Sequence, residues 1–417
     1  MNENAQKNSC FSAAEILLPR EADLQRWAVI ACDQFTSQPE YWQRVKNLTD
    51  GAPSAYSLIF PECELADHPE ERTAAIHEKM LQLLHGNAFR AYPDCYVYTE
   101  RTLRNGSVRC GLIGCVDLEQ YDYSGTEDAF VRATEKTVSE RIPPRMAIRR
   151  GAALELPHIL LLCDDERRAL IEPLKQRKDR LPKLYDFELM LGGGHVAGWL
   201  VSGREKQETD QRVLDYESHE RSKHPAYRLL YAVGDGNHSL AVAKACYEEW
   251  KRQNPEAERE RNPMRFALCE LNNIHDPCQR FEPIHRLVKH CDANQLIRGL
   301  AARFSGESGS EVLWISGDRR GSVLLSSDEG RLPLAELQSF LDEWLVSNSG
   351  ELDYIHGADV LSALAAEANA VGFCLPPVAK ESLFPGILSD GVLPRKTFSM
   401  GEAEEKRYYL EARRILP

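Results

Sequence analysis

No apolar run in this sequence approaches the roughly 18 to 20 residues that span a bilayer, so no transmembrane helix is expected. The opening, Met1–Arg20, lacks a basic start followed by a long apolar stretch. No secretory signal is expected, and the cytoplasm is the expected compartment. Positive charge is scarce: 51 Lys and Arg stand against 64 Asp and Glu, a net charge of −13 at pH 7. That balance weighs against a dedicated nucleic-acid binder and leaves room for a local basic cleft. The twelve cysteines include no C-x-x-C pair and no zinc-finger spacing to a histidine pair. A chain this long needs no disulfides, so the thiols are expected to be free and mostly buried. G-x-S-x-G, H-E-x-x-H and G-x-G-x-x-G are missing too, which removes the cheapest support for hydrolase, zincin and dinucleotide readings. The Gly192–Gly194 run lacks the Lys-Ser/Thr of a Walker loop and has strand-like flanks, so it reads as a tight hairpin.

What is present suits a large globular fold. Apolar residues make up 43% and charged residues 28%, enough for a sizeable core under a charged surface. A length of 417 residues makes one large domain or two the expectation. Trp27–Cys32 and Tyr56–Phe60 read as short strands. Pro69–His85 reads as a helix stopped by Gly86-Asn87. Tyr96–Thr99 and Val108–Val116 flank Asn105-Gly106, a strong two-residue hairpin signal. Pro157–Cys163 is a buried strand, and Leu334–Val346 and Ala358–Asn369 are helical. Strands alternating with helices, interspersed with hairpins, predict an α+β fold with mixed sheets and flanking helices.

Leu229–Trp250, LLYAVGDGNHSLAVAKACYEEW, is the most informative segment. An apolar strand breaks at Gly234-Asp235-Gly236-Asn237. A helix follows with Leu240, Ala243, Tyr247 and Trp250 on one face. Glycines allow a sharp bend and close approach of a ligand. The N–H groups of a helix start attract anions, phosphate above all. Asp235 adds a carboxylate suited to a metal ion or a hydroxyl proton, and His238 and Ser239 add hydrogen-bonding groups. An Asx-turn with an N-cap would use the same residues without a ligand. Similar alternatives attend the other candidates. Asp33 follows an apolar strand, as a site residue or a turn residue would. Glu135-Lys136-Thr137 with Arg141 and Arg145 suits a phosphate clamp or a solvated charged helix. Glu282, His285 and Arg286 gather three chemistries in a site or a surface turn. Lys396 stands alone near the end.

Taken in order, these pieces resemble one family, domain of unknown function 1015. Its D-G-H-H-R signature after a strand stands here as Asp235-Gly236-Asn237-His238-Ser239. Its H-E-x-T element is Thr134-Glu135-Lys136-Thr137, and its P-T-H-R-L-V element is Pro283–Val288. Its P-Y-D-V element looks like Ala31-Cys32-Asp33-Gln34, and its P-K-S-T element like Pro394-Arg395-Lys396-Thr397. The order covers nearly the whole chain, so 1–417 reads as one unit of family length. A subdivision near 1–125 and 126–417 stays open. The chain departs from the pattern at Asn237, Ser239 and Thr134, which lowers the fixed positive charge of the site.

The resemblance implies a ParB/sulfiredoxin-like core around the Asp235–Ser239 strand–turn–helix, related to free serine kinases, with a nucleotide phosphate at the helix start. It implies ATP or ADP, or CTP, together with Mg²⁺. The expected activity is a nucleotide-dependent phosphotransferase acting on a hydroxyl-bearing metabolite, an amino acid such as serine included. In that reading Asp33, Glu135, Asp235 and His238 are catalytic, with Asp33 or Glu135 accepting the hydroxyl proton and Asp235 holding the metal. Gly236, Asn237, Ser239, Lys136, Thr137, Arg141, Arg145, His285, Arg286 and Lys396 hold nucleotide phosphates. The expected partners are the nucleotide and a small-molecule substrate, with a homodimer left open. The alternatives are a ParB-like regulatory module that binds nucleotide without transfer, and a phosphatase or nucleotide hydrolase. Fold alone does not choose among them.

Overall fold

A computed structural model describes residues 9–416 except 37, 126–128, 136–141, 157, 224, 226–227, 307–308, 326–332 and 395. Lys136, Thr137 and Arg141 therefore lie outside the described residues. The chain divides into two compact units. One comprises Met1–Ala133, Thr137–Gln279 and Glu402–Pro417; the other comprises Thr134–Lys136 and Arg280–Gly401. The chain leaves the first unit after Gln279 and re-enters it at Glu402. The fold is α+β with mixed sheets, as the alternation of patterns predicts.

The first unit is built on a mixed sheet that joins eleven of the described strands. Its central path runs Lys183–Glu188, His195–Val201, Phe89–Thr102, Val108–Asp117, Phe266–Asn273, Leu160–Cys163, Tyr231–Asp235, Val131–Ala133, Tyr121–Asp122. The antiparallel order changes at Leu160–Cys163, which lies parallel to Phe266–Asn273 and antiparallel to Tyr231–Asp235. Leu160, Leu161, Leu162 and Cys163 are all fully buried. An unbroken apolar run is what a strand covered on both faces requires. The Gly192–Gly194 run does connect two antiparallel strands, Lys183–Glu188 and His195–Val201. At Asn105-Gly106 the turn is longer than two residues. The Gly106 N–H donates to Leu103 O, and Gly106 takes φ +80°, as in a bulged hairpin loop.

Two predicted strands are shorter or absent, for a local reason in each case. Asp23 caps a helix, Leu24–Trp27, that takes up Trp27 and leaves only Val29–Ile30 extended. Ser54 accepts the Tyr56 N–H and turns Ala55–Leu58 into a 3-10 helix. The last segment, Glu402–Pro417, is threaded through the first unit. Tyr408–Tyr409 pairs with Val29–Ile30, and Arg413–Arg414 with Leu154–Glu155. The helix Asn237–Gln253 follows Tyr231–Asp235 directly and buries Leu240, Ala243 and Tyr247. Each large apolar side chain so buried contributes about 1.5–3 kcal/mol. The helix Ile142–Arg149 packs against it through Ile142, Ala241, Val242 and Cys246.

The second unit is a six-stranded sheet of Arg319–Leu325, Ser310–Ser316, Val371–Cys374, Phe281–Lys289 and Glu351–His356, with Phe398–Met400 beside Phe281–Lys289. Its pairings are antiparallel. Helices Ala293–Arg303 and Pro333–Ser347 close its core through Leu296, Leu300, Leu337, Phe340 and Leu341. All twelve cysteines are free and none is exposed. No helix among the described residues is long and apolar enough to cross a membrane.

Candidate functional site

The Asp235–Ser239 turn is built around Gly236, which takes φ +78° as the residue before the helix Asn237–Gln253. A Cβ there would stand 3.0 Å from Ile159 Cα, so glycine is required by conformation and by space. No side chain caps this helix start. The N–H groups of a helix's first turn have no acceptor within the helix and carry its positive dipole end. The Gly236 N–H donates to Asp235 Oδ1 at 3.0 Å. Lys406 Nζ lies 3.4 Å from Asp235 Oδ2, yet that oxygen is buried and accepts no hydrogen bond. The Asn237 amide donates to Val233 O at 3.4 Å. His238 is half-buried in the first turn.

The residue that organises this site is one the sequence reading did not single out. His158 is buried at the start of the Leu160–Cys163 strand, with Tyr409 Oη 2.9 Å from its Nδ1. Its Nε2 faces both Ser239 Oγ, at 3.4 Å, and Asp33 Oδ2, at 3.5 Å. These two distances are long for strong hydrogen bonds, as is common for catalytic contacts before a ligand binds. Ser239 and Asp33 share one ring nitrogen, so this is not the relay of a serine hydrolase, where they would use opposite nitrogens.

The electrostatics follow from the geometry. Burial alone would lower the His158 pKa, but the charges of Asp33 and Asp235 and the Asp33 hydrogen bond raise it above its ordinary value. Burial works the other way on Asp33, yet His158, Gln34 and Lys406 hold its carboxyl well below the usual carboxylate range. Each group thus favours the charged form of the other, imidazolium beside carboxylate. Tyr409 fits that state: its hydroxyl accepts from the Cys32 N–H at 3.2 Å and donates to Cys32 Sγ at 3.1 Å, so it also accepts from Nδ1–H. Burial pushes the Cys32 thiol up to about 12, so Cys32 stays protonated. Arg145 Nη2 lies 2.8 Å from Glu62 Oε2, and the Glu62 N–H donates to Cys32 O beside Asp33.

The structure thus brings together Asp33, Asp235, Gly236 and Ser239 in the first unit, with His158, Lys406 and Tyr409 added. Four other candidates belong to the second unit. Glu135 Oε1 accepts the Thr397 N–H at 3.2 Å, and the Glu135 backbone bridges Leu393. Arg286 is fully buried. It donates to Gln338 Oε1 at 2.8 Å, Ile284 O at 2.6 Å and Lys396 O at 2.9 Å. Its guanidinium is used to fix the loop that carries Lys396, whose own side chain is exposed. His285 Nδ1 accepts the Leu375 N–H at 3.1 Å. Burial, Arg286 and His356 lower its pKa, so His285 is neutral. Among the described residues, the group of three side chains spaced to hold a metal is Asp164, Glu166 and His275, away from the expected Asp235.

A family model described as a protein of unknown function, DUF1015, matches residues 14–411. No curated protein matches the sequence. Several solved structures show distant likeness. SbnI with a C-terminal truncation from Staphylococcus aureus is 9% identical, over 69% of this chain and 82% of that one, with a TM-score of 0.36. A free serine kinase in complex with AMP is 13% identical, over 71% and 90%, with a TM-score of 0.36. A conserved hypothetical protein from Pyrococcus furiosus is 14% identical, over 71% and 90%, with a TM-score of 0.33.

Proposed function

The chain belongs to the DUF1015 family, and we propose that it is a nucleotide-dependent phosphotransferase acting on a small hydroxyl-bearing metabolite. One observation carries the reading: the Asp33 carboxylate and the buried imidazole of His158 meet Ser239 at the uncapped first turn of a helix. We place the Asp235–Ser239 strand–turn–helix in a ParB/sulfiredoxin-like core on its sequence signature.

Backbone N–H groups of Asn237, His238 and Ser239 and the Ser239 hydroxyl hold the phosphates at the positive end of the helix. The His158 imidazolium and Lys406 offset charge that builds up on the transferring oxygens. Asp33, with its side chain 32% exposed, is open to a substrate hydroxyl. The hydroxyl oxygen attacks the terminal phosphorus, a new P–O bond forms, and the bridging P–O bond to the nucleotide breaks. The proton goes to Asp33, and the shortened nucleotide leaves. Because Asp33 is a weak base, the proton moves late, after the hydroxyl has lost most of its electron density to phosphorus. The unbonded, buried Oδ2 of Asp235 suits a hard cation. Asp235 would hold Mg²⁺ there, and the ion would neutralise phosphate charge.

Calorimetry with ATP, ADP and CTP, with and without Mg²⁺, tests binding. Labelled nucleotide incubated with hydroxyl metabolites, serine among them, tests transfer. Micromolar to millimolar binding and label on an acceptor are expected. Absence of binding by all three nucleotides overturns the reading. Binding without transfer makes the chain a regulatory nucleotide-binding module, and free phosphate without an acceptor makes it a hydrolase.

A further inference from the structure

The first unit contains a second concentration of buried charge. A cavity of about 20 Å³ is lined by Thr99, Arg101, Arg109, Glu270, Arg407 and Glu411, with Tyr185 and Tyr408 beside them. Arg101 and Arg109 stand directly opposite each other on the antiparallel strands Phe89–Thr102 and Val108–Asp117. Like charges in that register repel. Each arginine is only 4% exposed, so water does little to screen them.

The carboxylates present do not balance these arginines. Arg407 donates to Glu270 Oε2 at 2.9 Å and to Glu411 Oε2 at 2.6 Å. Tyr185 donates to the other Glu411 oxygen. Arg109 Nε reaches Glu270 Oε1 only at 4.0 Å. Arg101 has no carboxylate within ion-pair distance among the described residues. It donates to Gly193 O and Glu404 O, and its guanidinium lies 4.8 Å from the Tyr408 ring centroid. Three guanidiniums therefore face two carboxylates. The Nε atoms of Arg101, Arg109 and Arg407 are all buried and lack an acceptor. Burial first, and Arg109 second, pull Arg101 down to about 10, so it remains charged at neutral pH.

We infer that this cavity is a binding site for a small monovalent anion. One negative charge balances the excess, and its lone pairs meet the unpartnered Nε–H groups. The space exceeds the roughly 10–15 Å³ that one water needs, and the single charge of a halide or a carboxylate matches the excess as a phosphate dianion does not. A planar carboxylate matches the paired donors of a guanidinium edge. The site is distinct from the Asp33–His158 pair, although both draw on the final segment. Arg407 lines the cavity, and its neighbours on the chain reach the pair: Lys406 faces Asp235 and Tyr409 meets His158.

The test uses the full chain at pH 7 and constant ionic strength, with methanesulfonate replaced stepwise by chloride, bromide, formate or phosphate. A saturable rise in Tm is expected with chloride, bromide and formate and not with phosphate, because a ligand of the native state alone stabilises it by mass action. A stronger response to formate identifies the anion as a carboxylate; a stronger response to chloride identifies it as a free halide. Bromide soaked into crystals should give an anomalous peak between Arg101 and Arg109. Arg101→Met removes the excess charge and should weaken the apparent anion affinity by at least about tenfold. Arg109→Gln is the second variant, read the same way where the first does not fold. The inference is overturned if Tm follows ionic strength whatever the anion. It is equally overturned if bromide leaves no peak in the cavity, or if both variants keep the wild-type response.

Discussion

His158 holds three partners through two ring nitrogens, and the sign of its pKa shift depends on one of them. Burial lowers it, and the Asp33 carboxylate, with Asp235 adding to it, more than reverses that. The stability this charge contributes is fully present below the unfolded value of about 6.5 and is lost as pH rises through the raised folded value. Asp33 has the opposite window: its contribution is present above about 3.9 and is lost as pH falls through its depressed folded value. Asp33→Asn should therefore move the His158 titration, followed by NMR of the ring carbon, from above its ordinary value to below it. An unchanged His158 titration would mean that the two groups are not coupled. The same variant removes the proton acceptor, so phosphoryl transfer should fall by about 10²–10⁴. Nucleotide binding at the helix start should persist, since the variant leaves the backbone N–H groups of that turn in place.

At the scale of elements, the turn before the helix Asn237–Gln253 sets the positions of Asp235 and Ser239. Gly236→Ala places a side chain in a left-handed conformation and within 3.0 Å of Ile159 Cα. The conformational cost alone is about 1–2 kcal/mol, and the contact adds to it. Urea unfolding should show a loss of about 2 kcal/mol or more, with weaker nucleotide binding where the variant folds. An unchanged midpoint would show that the turn relaxes without cost. This helix was legible in the sequence because Leu240, Ala243 and Tyr247 repeat at helical spacing and Gly236 announces the turn. The Leu160–Cys163 strand was legible because its residues are apolar without interruption. His158 was not, because a single histidine at the head of an apolar strand has no spacing to mark it, and its partners come from three distant parts of the chain. Lys406 and Tyr409 were hidden for the same reason, their roles arising only when the final segment pairs with Val29–Ile30. For Arg286, which the resemblance makes a phosphate ligand, nothing in the sequence signalled its hydrogen bonds to Gln338 and to backbone carbonyls inside the second unit.

Across the whole molecule, the first unit cannot be completed until the last residues have been made. Glu270 is 3% and Glu155 4% exposed, and their strongest partners, Arg407 and Arg413, both come from Glu402–Pro417. That segment also supplies Leu410 O to the Trp27 indole N–H. Breaking a buried ion pair from one side costs about 3–5 kcal/mol, so two such losses rival the entire stability of a domain, about 5–15 kcal/mol. The second unit has its own sheet and its own core of Leu296, Leu300, Leu337, Phe340 and Phe373, all within Arg280–Gly401. A chain ending at Gly401 should therefore lose the first unit and keep the second. The tryptophans report on the units separately: Trp27, Trp42, Trp199 and Trp250 belong to the first, Trp314 and Trp344 to the second. With single-tryptophan versions of the shortened chain, Trp42 should be as exposed to quencher as in urea, while Trp344 keeps a cooperative unfolding transition. Native shielding of Trp42 without Glu402–Pro417 would show that Glu155 and Glu270 find other partners, and that the final segment contributes side chains to the site but not the fold beneath it.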